Sequence, residues 1–485
     1  MNESIESLEP KVLWHYFNEI CKVPRPSKRE GKMVEYIKNF GESLHLETLV
    51  DEAGNVLIRK SATPGYEKAP WLLLQSHMDM VAEKNRDVKH DFDNDPIQPY
   101  IDGEWVKARG TTLGADDGMG VAAELAILAS NDLQHGPIEC LFTVDEETGL
   151  TGAKALKPGI LKSKLLVNLD SEEDGDFCIG CAGGVDTAGL FRYQSEKTPD
   201  GLFFFNIEIK GLQGGHSGED INKNRGNAVY LLARYLWRLK KETPVYLAKI
   251  DGGNLRNAIA REAYATVGVP MSAKENIRIA ANLYLHDVEE EYPNEPDLKV
   301  EVESETAPAC IIEQAVSNRL IDALVACPHG VQGMSQDIKG LVETSTNLAS
   351  VKMIEGQNQI RVATSQRSSV ASHKEEIKNK VGTVLSLAGA EVSHGDGYPS
   401  WKPNLNSEIK NVLVNAYTDL FGKAPNVRAI HAGLECGLFL EKYPDLDMIS
   451  VGPTMIGNHS PAERVEIKAV ARFWQLITEV MKRIK

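Results

Sequence analysis

Short, continuous apolar runs occur at four places along the chain, and each run ends close to acidic or imidazole side chains. The runs span residues 71–76, 138–144, 165–169 and 447–451. An apolar run of this length without alternation is typical of a strand that is buried on both faces, as in the sheets of α/β proteins. The pattern therefore predicts a sheet that is covered by other elements on both sides.

Amphipathic helices are predicted between these runs, because apolar residues recur there at three- and four-residue spacing. The helical segments are residues 12–20, 32–43, 118–130 and 467–484. Strands that alternate with helices form a parallel or mixed sheet with helices on both faces. The two ends of the chain are therefore expected to build one α/β domain.

The middle of the chain, from about residue 190 to 392, has a different pattern. Its strand-like segments alternate between apolar and polar residues, as in 203–210 and 263–269. Long helical segments lie between the strands, at 224–241, about 273–292, 311–327 and 372–388. The order β-α-β-β-α-β followed by α-β-β-α-β resembles a ferredoxin-like α+β unit followed by a variant of a second unit. No sequence repeat accompanies this order, so duplication is a hypothesis.

The position of the middle segment indicates an insertion, because strands of the first type lie on both sides of it. We predict a discontinuous domain of residues 1–187 and 393–485, with a mixed or parallel sheet flanked by helices. Residues 188–392 would form the inserted α+β domain. At roughly 150 residues per domain, the 485-residue length alone would suggest about three domains. The pattern changes this expectation to two.

Charge and composition narrow the class of protein. The chain has 53 Lys and Arg against 69 Asp and Glu, which gives a formal net charge of -16. Such a charge disfavours nucleic-acid and anionic-membrane partners, because phosphate groups would repel most of the surface. The sequence has no apolar run of about 20 residues, and its first residues lack a secretory signal pattern. We expect a globular, cytoplasmic protein.

His77 and Asp79 lie at the end of the first predicted strand. Positions i and i+2 of a strand face the same side, so Asp79 can accept the second ring N–H of His77. A carboxylate in this place fixes the tautomer of a metal-bound histidine. A surface His–Asp pair is the alternative.

Acidic residues also follow a predicted strand and precede a predicted helix. Glu146 and Glu147 follow the second apolar run. Adjacent carboxylates at a buried strand end repel each other unless a cation lies between them, and one could bind metal while the other acts as a general base. A solvated acidic loop is the alternative. Asp116 lies in a glycine-framed loop, where its two oxygens could bridge two cations, and an ordinary N-cap is the alternative.

Two further candidates complete a set at the strand ends. Asp170 directly follows the third apolar run, and His459 lies in a turn-rich loop after the fourth. Surface positions are the alternative for both. Ligands of open α/β sheets bind at the carboxyl ends of the strands, so these side chains are expected to meet. Two histidines and three carboxylates suffice for two divalent cations if one carboxylate bridges, and mixed imidazole and carboxylate ligands suit Zn²⁺, with Co²⁺ or Mn²⁺ as substitutes.

The motifs around these residues resemble those of the M20 metallopeptidase family. The similarity covers residues 77–79, 114–116, 146–147, 170 and 457–459, together with 95–100 (DPIQPY), 110–114 (GTTLG), 214–218 (GGHSG) and 431–437 (HAGLECG). It extends along essentially the whole chain. The resemblance implies a catalytic domain that binds two metal ions and an inserted lid domain, which agrees with the organisation predicted above.

The resemblance also implies a role for each candidate residue. His77, Asp116 and Asp170 would hold one metal ion, and Asp116, Glu147 and His459 would hold the other. Asp79 would orient His77. Glu146 would be the base that activates the attacking water.

Substrate contacts are expected from the inserted domain. His216 lies in a glycine-rich loop and, by the resemblance, would stabilise the oxyanion; a loop histidine without function is the alternative. Asn257 lies near a polar substrate contact of the family, and an ordinary turn asparagine is the alternative. Arg367 could bind the C-terminal carboxylate of a peptide, because the guanidinium fork matches carboxylate geometry. A surface arginine is its alternative.

His431 and Glu435 begin a helix-like segment that we assign to the catalytic domain. Both are candidate substrate-binding residues. Glu435 could receive a substrate ammonium group. Support of neighbouring residues, or a carboxylate in the first turn of a helix, is the alternative.

Together the residues and the resemblance predict a metal-dependent hydrolase of dipeptides with free termini, including those that end in histidine. An N-acyl-amino-acid deacylase of the same family and a metal-dependent binding protein without turnover are the alternatives. The expected partners are dipeptide substrates. By the resemblance, a homodimer formed through the inserted domain is one alternative for the oligomeric state, and a chain whose enlarged inserted domain covers that surface itself is the other.

Overall fold

Helices and strands alternate along residues 4–485, which the computed structural model describes. Up to Cys181 the helices are α1 (Lys11–Cys21), α2 (Gly31–Ser43), α3 (Ala115–Ala129), α4 (Glu146–Gly149) and α5 (Thr151–Ala155). The strands of this part are β1 (Glu47–Val50), β2 (Val56–Lys60), β3 (Leu72–His77), β4 (Pro99–Asp102), β5 (Trp105–Ala108), β6 (Ile138–Thr143), β7 (Leu165–Asn168) and β8 (Asp176–Cys181).

The middle of the chain supplies α6 (Ala228–Glu242), α7 (Lys274–Glu291), α8 (Gln314–Ala326) and α9 (Ala371–Leu387). Its strands are β9 (Gly183–Arg192), β10 (Ser195–Lys197), β11 (Leu202–Lys210), β12 (Gly215–His216), β13 (Tyr246–Gly252), β14 (Ala258–Ile259), β15 (Ala263–Pro270), β16 (Lys299–Glu305), β17 (Cys310–Ile312), β18 (Gly330–Met334), β19 (Val342–Met353), β20 (Gln359–Ser368) and β21 (Glu391–His394). The rest of the chain forms α10 (Glu408–Phe421), β22 (Asn426–Ile430), α11 (Cys436–Lys442), β23 (Asp447–Ser450), β24 (Met455–Ile456), β25 (Arg464–Glu466) and α12 (Ile467–Arg483).

The chain divides into two compact units. The first comprises residues up to Cys181, Trp401–Ala429 and Leu434–Lys485, and the second comprises Ala182–Ser400 and Ile430–Gly433. Both boundaries differ from the predicted ones at 187/188 and 392/393. The reason is that β9 already begins at Gly183 and pairs with β21, which brings residues 182–187 and 393–400 into the second unit.

The main sheet of the first unit has the strand order β1-β2-β6-β3-β7-β23-β8-β22. Its central strand β3 pairs in parallel with β6 and β7, and β7 pairs in parallel with β23, whereas β1, β2 and β6 pair antiparallel. The predicted α/β class with a mixed sheet is therefore confirmed. The four apolar runs became the central strands because they can be covered on both faces: Leu73 and Leu74, which point to opposite faces of β3, are both fully buried. Each such leucine stabilises the fold by about 2 kcal/mol.

Helix α12 shows how the apolar spacing sets the packing of the first unit. Its buried residues recur every three or four positions, at Val470, Phe473, Ile477 and Val480. They belong to the same core as the apolar residues of α1, α3 and α10 and of the main sheet. No helix within residues 4–485 is long and apolar enough to span a bilayer.

The sheet of the second unit is antiparallel, with the order β16-β11-β15-β13-β19-β20-β9-β21, and β18 pairs with β19. Its core lies between this sheet and helices α6 to α9. The α+β class predicted for the middle of the chain is confirmed. The unit contains the predicted succession β11-α6-β13-β15-α7-β16. Across the sheet its strands lie in the order β16-β11-β15-β13, which is the fourth, first, third and second strand of the succession.

A second succession in this unit runs β9-α8-β19-β20-α9-β21. Across the sheet its strands lie in the order β21-β9-β20-β19, which is again the fourth, first, third and second strand of the succession. The two copies are joined side by side through their second strands, β13 and β19. They are nested rather than consecutive, because the whole first copy lies in the chain between β9 and α8. A short antiparallel pair, β10 with β17, lies where the chain passes from β9 into the inner copy and from the inner copy on to α8.

Candidate metal centre

The carboxyl ends of β3, β6, β7 and β23 lie at one edge of the main sheet. The parallel registers align His77 with Thr143, and Asn168 with both Gln75 and Ser450. Residues that follow these strands in the chain therefore emerge close together. They include the strand-end residues singled out in the sequence.

One cluster of ligand-type atoms forms around the His77 ring. His77 Nε2 lies 3.1 Å from Asp116 Oδ1 and 3.5 Å from Asp170 Oδ1. His77 ends β3, Asp170 comes two residues after β7, and Asp116 lies at the start of α3. Their ligand atoms all lie within 4.8 Å of one another.

A second cluster forms around His459 and shares Asp116 with the first. His459 Nε2 lies 2.9 Å from Glu147 Oε2 and 3.3 Å from Asp116 Oδ2. Asp116 therefore turns one oxygen to each histidine. Asn458 Nδ2 donates to the same Asp116 Oδ2 at 3.3 Å.

The spacing of these atoms fits cations of the zinc type. A tetrahedral ion with ligands at about 2.0–2.1 Å separates its ligand atoms by about 3.3 Å. The four His-to-carboxylate distances run from 2.9 to 3.5 Å. Two clusters with one shared carboxylate could hold two ions, and each ion would have one imidazole and two carboxylates.

The charge of the clusters also favours cations. Burial raises the pKa of Asp170 to about 8, although His77 opposes the shift. Burial also raises the pKa of Glu147, against the hydrogen bond from His459. Hydrogen bonds to Asp116 and Glu147 raise the pKa of His459 to about 11. Two histidines and three carboxylates thus lie together at one place, and divalent cations would remove the repulsion between the carboxylates.

Asp79 connects the His77 strand to the Glu146 turn. Its Oδ1 lies 3.4 Å from His77 Nδ1, and its carboxylate accepts the backbone N–H groups of Glu146 at 3.0 Å and of Glu147 at 3.3 Å. Burial opposes the charge on Asp79, but the His77 contact outweighs it and lowers the pKa of Asp79. The side chain is therefore an ionised, buried acceptor that lies beside the ring of His77 and holds the start of the next turn.

Glu146 begins the short helix α4 and is only partly buried. Burial raises the pKa of its carboxyl well above the usual value, and Asp170 and Glu435 add to the rise. Within residues 4–485, no side chain donates a hydrogen bond to this carboxylate. Its oxygens are therefore free to exchange a proton with a water molecule or a substrate.

Three further residues hold the loops of the clusters and were missed in the sequence. Asp117 Oδ2 accepts the backbone N–H of His77 at 3.3 Å. Arg25 is buried and donates to the backbone carbonyls of Met78 and Asp79 at 3.1 and 2.9 Å, and to that of Gly114. Asp117 had a local signal as the neighbour of Asp116, whereas Arg25 had none.

The third missed residue, Glu463, is 2% exposed and accepts four consecutive backbone N–H groups. The donors are Leu113, Gly114, Ala115 and Asp116, at 2.7, 3.0, 2.7 and 3.4 Å. Its only signal in the sequence was its closeness to His459.

Glu435 lies in the interior of the first unit, beneath the strand ends. Its Oε2 accepts hydrogen bonds from Gln75 Nε2 and Thr143 Oγ1, both at 2.7 Å. Gln75 continues the network to Asn168, whose side chain bonds to it at 2.7 Å. Burial raises the pKa of Glu435 to about 7. A fully buried carboxyl in such a network fits support of the strand ends better than direct contact with a substrate ammonium group.

The other predicted substrate contacts lie in the second unit. His431 is in the segment Ile430–Gly433, which belongs to this unit and not, as predicted, to the first. The reason is that its ring packs against β19, where His431 Nε2 lies 2.7 Å from Ser345 Oγ. The carbonyl of His431 also approaches Gly218 so closely that a Cβ there would lie 2.3 Å from it.

Arg367 lies on β20 directly opposite Ser345 of β19. Its Nη1 donates to Tyr398 Oη at 2.8 Å, and its buried Nε has no partner among residues 4–485. Burial and Arg367 together lower the pKa of His431 to about 3. The same two causes lower the pKa of His216. Both rings are therefore neutral at neutral pH.

His216 and Asn257 lie side by side in the second unit. β12 pairs with β14 so that His216 is opposite Ala258, and the carbonyl of Asn257 accepts the N–H of Ser217 at 2.8 Å. The N–H of Glu219 donates to His216 Nδ1 at 3.2 Å, which leaves the proton of the neutral ring on Nε2. The Asn257 side chain is exposed.

A mixed α/β sheet that carries two histidine–carboxylate clusters with a shared aspartate at its carboxyl edge is typical of metal-dependent hydrolases. Residues 73–483 match the model of peptidase family M20/M25/M40. The chain therefore belongs to this peptidase family, as the motifs predicted. The class expected from the sequence, a peptide-bond hydrolase that uses divalent metal ions, is confirmed.

Individual relatives resemble the chain over its whole length. The cytosol non-specific dipeptidase of Escherichia coli is 42% identical over 481 residues, which cover 99% of each chain. The crystal structure of aminoacylhistidine dipeptidase from Vibrio alginolyticus is 43% identical, covers 100% of this chain and 98% of its own, and superposes with a TM-score of 0.91. A tripeptidase from Staphylococcus aureus, at 17% identity and a TM-score of 0.56 over 98% of this chain and 99% of its own, shares the fold.

Proposed function

We propose that the chain hydrolyses dipeptides with free termini, including those that end in histidine, at a centre of two divalent cations. The observation that carries this proposal is the shared Asp116, whose two oxygens face two separate histidines at 3.1 and 3.3 Å. A carboxylate shared by two ligand clusters could hold two ions close enough to act on one substrate together. The similarity to the two dipeptidases over nearly the full chain supports the choice of dipeptides.

The proposed ligands of the first ion are His77, Asp116 and Asp170, and those of the second are Asp116, Glu147 and His459. Each ion would have one nitrogen and two oxygen ligands from the protein. This mixture suits Zn²⁺, and Co²⁺ and Mn²⁺ accept the same ligands. We propose Zn²⁺ as the natural metal.

The reaction follows from what the side chains can do around such a centre. When bound, the two cations would acidify a water molecule and polarise the scissile carbonyl. Glu146 takes a proton from this water as the water oxygen bonds to the carbonyl carbon. It returns the proton to the leaving nitrogen as the carbon–nitrogen bond breaks, so that atoms and charge balance. Asp79 keeps the His77 ring and the Glu146 turn in place during both steps.

The polar residues of the second unit are proposed to bind the ends of the dipeptide. His216 would donate its Nε2–H to the oxyanion that forms at the carbonyl. Arg367 would bind the C-terminal carboxylate through its Nε edge, and Tyr398 would hold the guanidinium from the other side. We propose that His431 and Asn257 also bind the dipeptide. For Glu435 we propose support of Gln75 and Thr143 below the metal centre.

A panel of substrates tests this function against its alternatives. Free dipeptides should be hydrolysed with a kcat/KM at least about tenfold above that of the same dipeptides with an acetylated amino end, because a free terminus is part of the recognised substrate. Steady-state kinetics with Ala-His, Gly-Leu and their N-acetyl derivatives measures this ratio. Activity on the acetylated set alone would identify a deacylase, and full metal loading without turnover on either set would identify a binding protein.

The Arg367→Lys variant tests the carboxylate contact. We expect KM for free dipeptides to rise by about 10- to 100-fold, since a hydrogen bond to a charged group contributes about 1.5–3 kcal/mol and lysine cannot form the two-pronged contact. Dipeptides with an amidated C-terminus should show little change in KM between parent and variant. Arg361→Lys is the matched control, because Arg361 lies on the same strand but is exposed. An equal rise for free and amidated substrates would contradict the assignment.

A further inference from the structure

Glu463 lies between the two loops that carry the proposed ligands of the second ion. It comes four residues after His459, in the connection between β24 and β25, and it accepts the N–H groups of the loop that ends in Asp116. Asp116 and His459 are both proposed ligands of the second ion. One side chain therefore joins these two ligands without being a ligand itself.

Each oxygen of the Glu463 carboxylate accepts hydrogen bonds from two backbone N–H groups of this loop. Its Oε2 accepts from Leu113 and Gly114, and its Oε1 accepts from Ala115 and Asp116. Successive N–H groups that converge on one anion fix the conformation of the loop that supplies them. Arg25 holds the other side of the same loop through the carbonyl of Gly114. These two contacts together fix the direction in which the Asp116 side chain leaves the loop.

The His459 side of the connection is anchored as well. β24 pairs with β25, and β25 pairs with β5, so the residue next to Glu463 belongs to a sheet. The N–H of Glu463 donates to the carbonyl of Ser460 at 3.0 Å. His459 itself has a positive φ of 61°, in the left-handed region that few residues other than glycine adopt. Glu463 thus has a fixed position relative to His459.

We propose that Glu463 is a positioning residue that sets the geometry of the second metal site, formed by Asp116, Glu147 and His459. The first site shares only Asp116 with this arrangement, because His77 and Asp170 come from β3 and from the segment after β7. Loss of the Glu463 carboxylate should therefore weaken the second site much more than the first. This inference rests on the proposed function, since it presupposes the two metal ions.

The Glu463→Gln variant removes the charge and one acceptor while it keeps the shape of the side chain. In either orientation of the amide, its NH₂ group faces two backbone N–H donors. We expect the affinity for the second Zn²⁺ to fall by about 10- to 100-fold, as for other residues that orient metal ligands, and that for the first to change by less than about threefold. Titration calorimetry of the metal-free protein with Zn²⁺ gives both affinities, and the absorption spectrum of Co²⁺ bound at each site gives an independent readout.

Glu139→Gln is the matched control. Glu139 is also fully buried and accepts backbone N–H groups, from Lys162 and Ser163 at 2.9 Å each, but it lies near the start of β6, away from the metal centre. This variant should keep both Zn²⁺ affinities. If Glu463→Gln does not fold, Glu463→Asp, which keeps the charge on a shorter side chain, is titrated against the same criteria.

The outcomes separate this inference from the proposed function. A parent protein that binds fewer than two Zn²⁺ ions would refute the proposed function and the inference with it. If the parent binds two ions, then two unchanged sites in Glu463→Gln, an equal loss at both sites, or the same loss in Glu139→Gln would each overturn the inference alone. A selective loss of the second site would support it.

Discussion

Glu146→Gln is expected to lower kcat for dipeptides by about 10³- to 10⁴-fold while both metal ions remain bound. A general base contributes about 10²–10⁴ in rate, and Glu146 is proposed to act twice, once on the water and once on the leaving nitrogen. A loss of 10³ corresponds to about 4 kcal/mol of transition-state stabilisation. The effect should appear in kcat and in kcat/KM alike, because a proton transfer occurs only in the transition state.

The structure explains why this substitution should leave the metal centre intact. Glutamine has nearly the shape of glutamate, and the backbone N–H of residue 146 would still donate to Asp79, as it does at 3.0 Å in the parent. The Glu146 carboxylate does not belong to either of the two clusters of ligand-type atoms around His77 and His459. The metal content should therefore stay at two ions per chain.

Metal analysis and steady-state kinetics on the same preparation measure both quantities. Glu173→Gln is a suitable control, since Glu173 is an exposed carboxylate in the acidic segment after Asp170 and should have no effect. Turnover near that of the parent, with both ions present, would show that another group acts as the base.

Much of the fold could be predicted because local patterns decide it. The runs around residues 72–77 and 138–143 lack a regular alternation of apolar and polar residues, and this pattern favours strands that are buried on both faces. The three- and four-residue spacing of α12 and α6 likewise fixes one apolar face for each helix. Such patterns reveal the type of an element but not its partner in space.

The nested arrangement of the second unit shows the limit of local patterns. The pattern indicated two consecutive units, because it recognised the successions from β11 to β16 and from α8 to β21. β9 is the first strand of the outer copy, which is the succession β9-α8-β19-β20-α9-β21. In the chain β9 comes before the inner copy, whereas its partners β20 and β21 come after it. Such pairing over more than 150 residues leaves no periodic signal in a single sequence.

The candidate metal centre could be anticipated where a residue type is unusual at its position. Histidines and carboxylates at the ends of apolar strands are costly to bury without compensation, so His77, Glu147 and Asp170 attract attention. Arg25 and Glu463 could not be found in this way, because each acts on backbone groups of distant segments. Their contacts, to Gly114 and to residues 113–116, exist only after the chain has folded.

Removal of the metal ions is expected to abolish hydrolysis and to lower the thermal stability of the protein. The proposed centre collects Asp116, Glu147 and Asp170 within a few ångströms, and the ions would offset the repulsion between them. A ligand at 100 times its Kd stabilises the folded state by about 2.7 kcal/mol, so two ions at that level would contribute about 5 kcal/mol. In a domain of this size such a loss lowers Tm by about 10 °C or more.

Dialysis against a chelator, followed by activity assays and calorimetric scans, measures both effects. Adding back Zn²⁺, Co²⁺ or Mn²⁺ should restore activity and Tm together, because these ions accept imidazole with carboxylate ligands. Ca²⁺ should restore neither, since it requires six to eight oxygen ligands. Unchanged turnover in protein shown to contain no metal would contradict the proposed mechanism. A Tm that recovers with Zn²⁺ without any return of activity would leave the metal sites in place and reject their catalytic role.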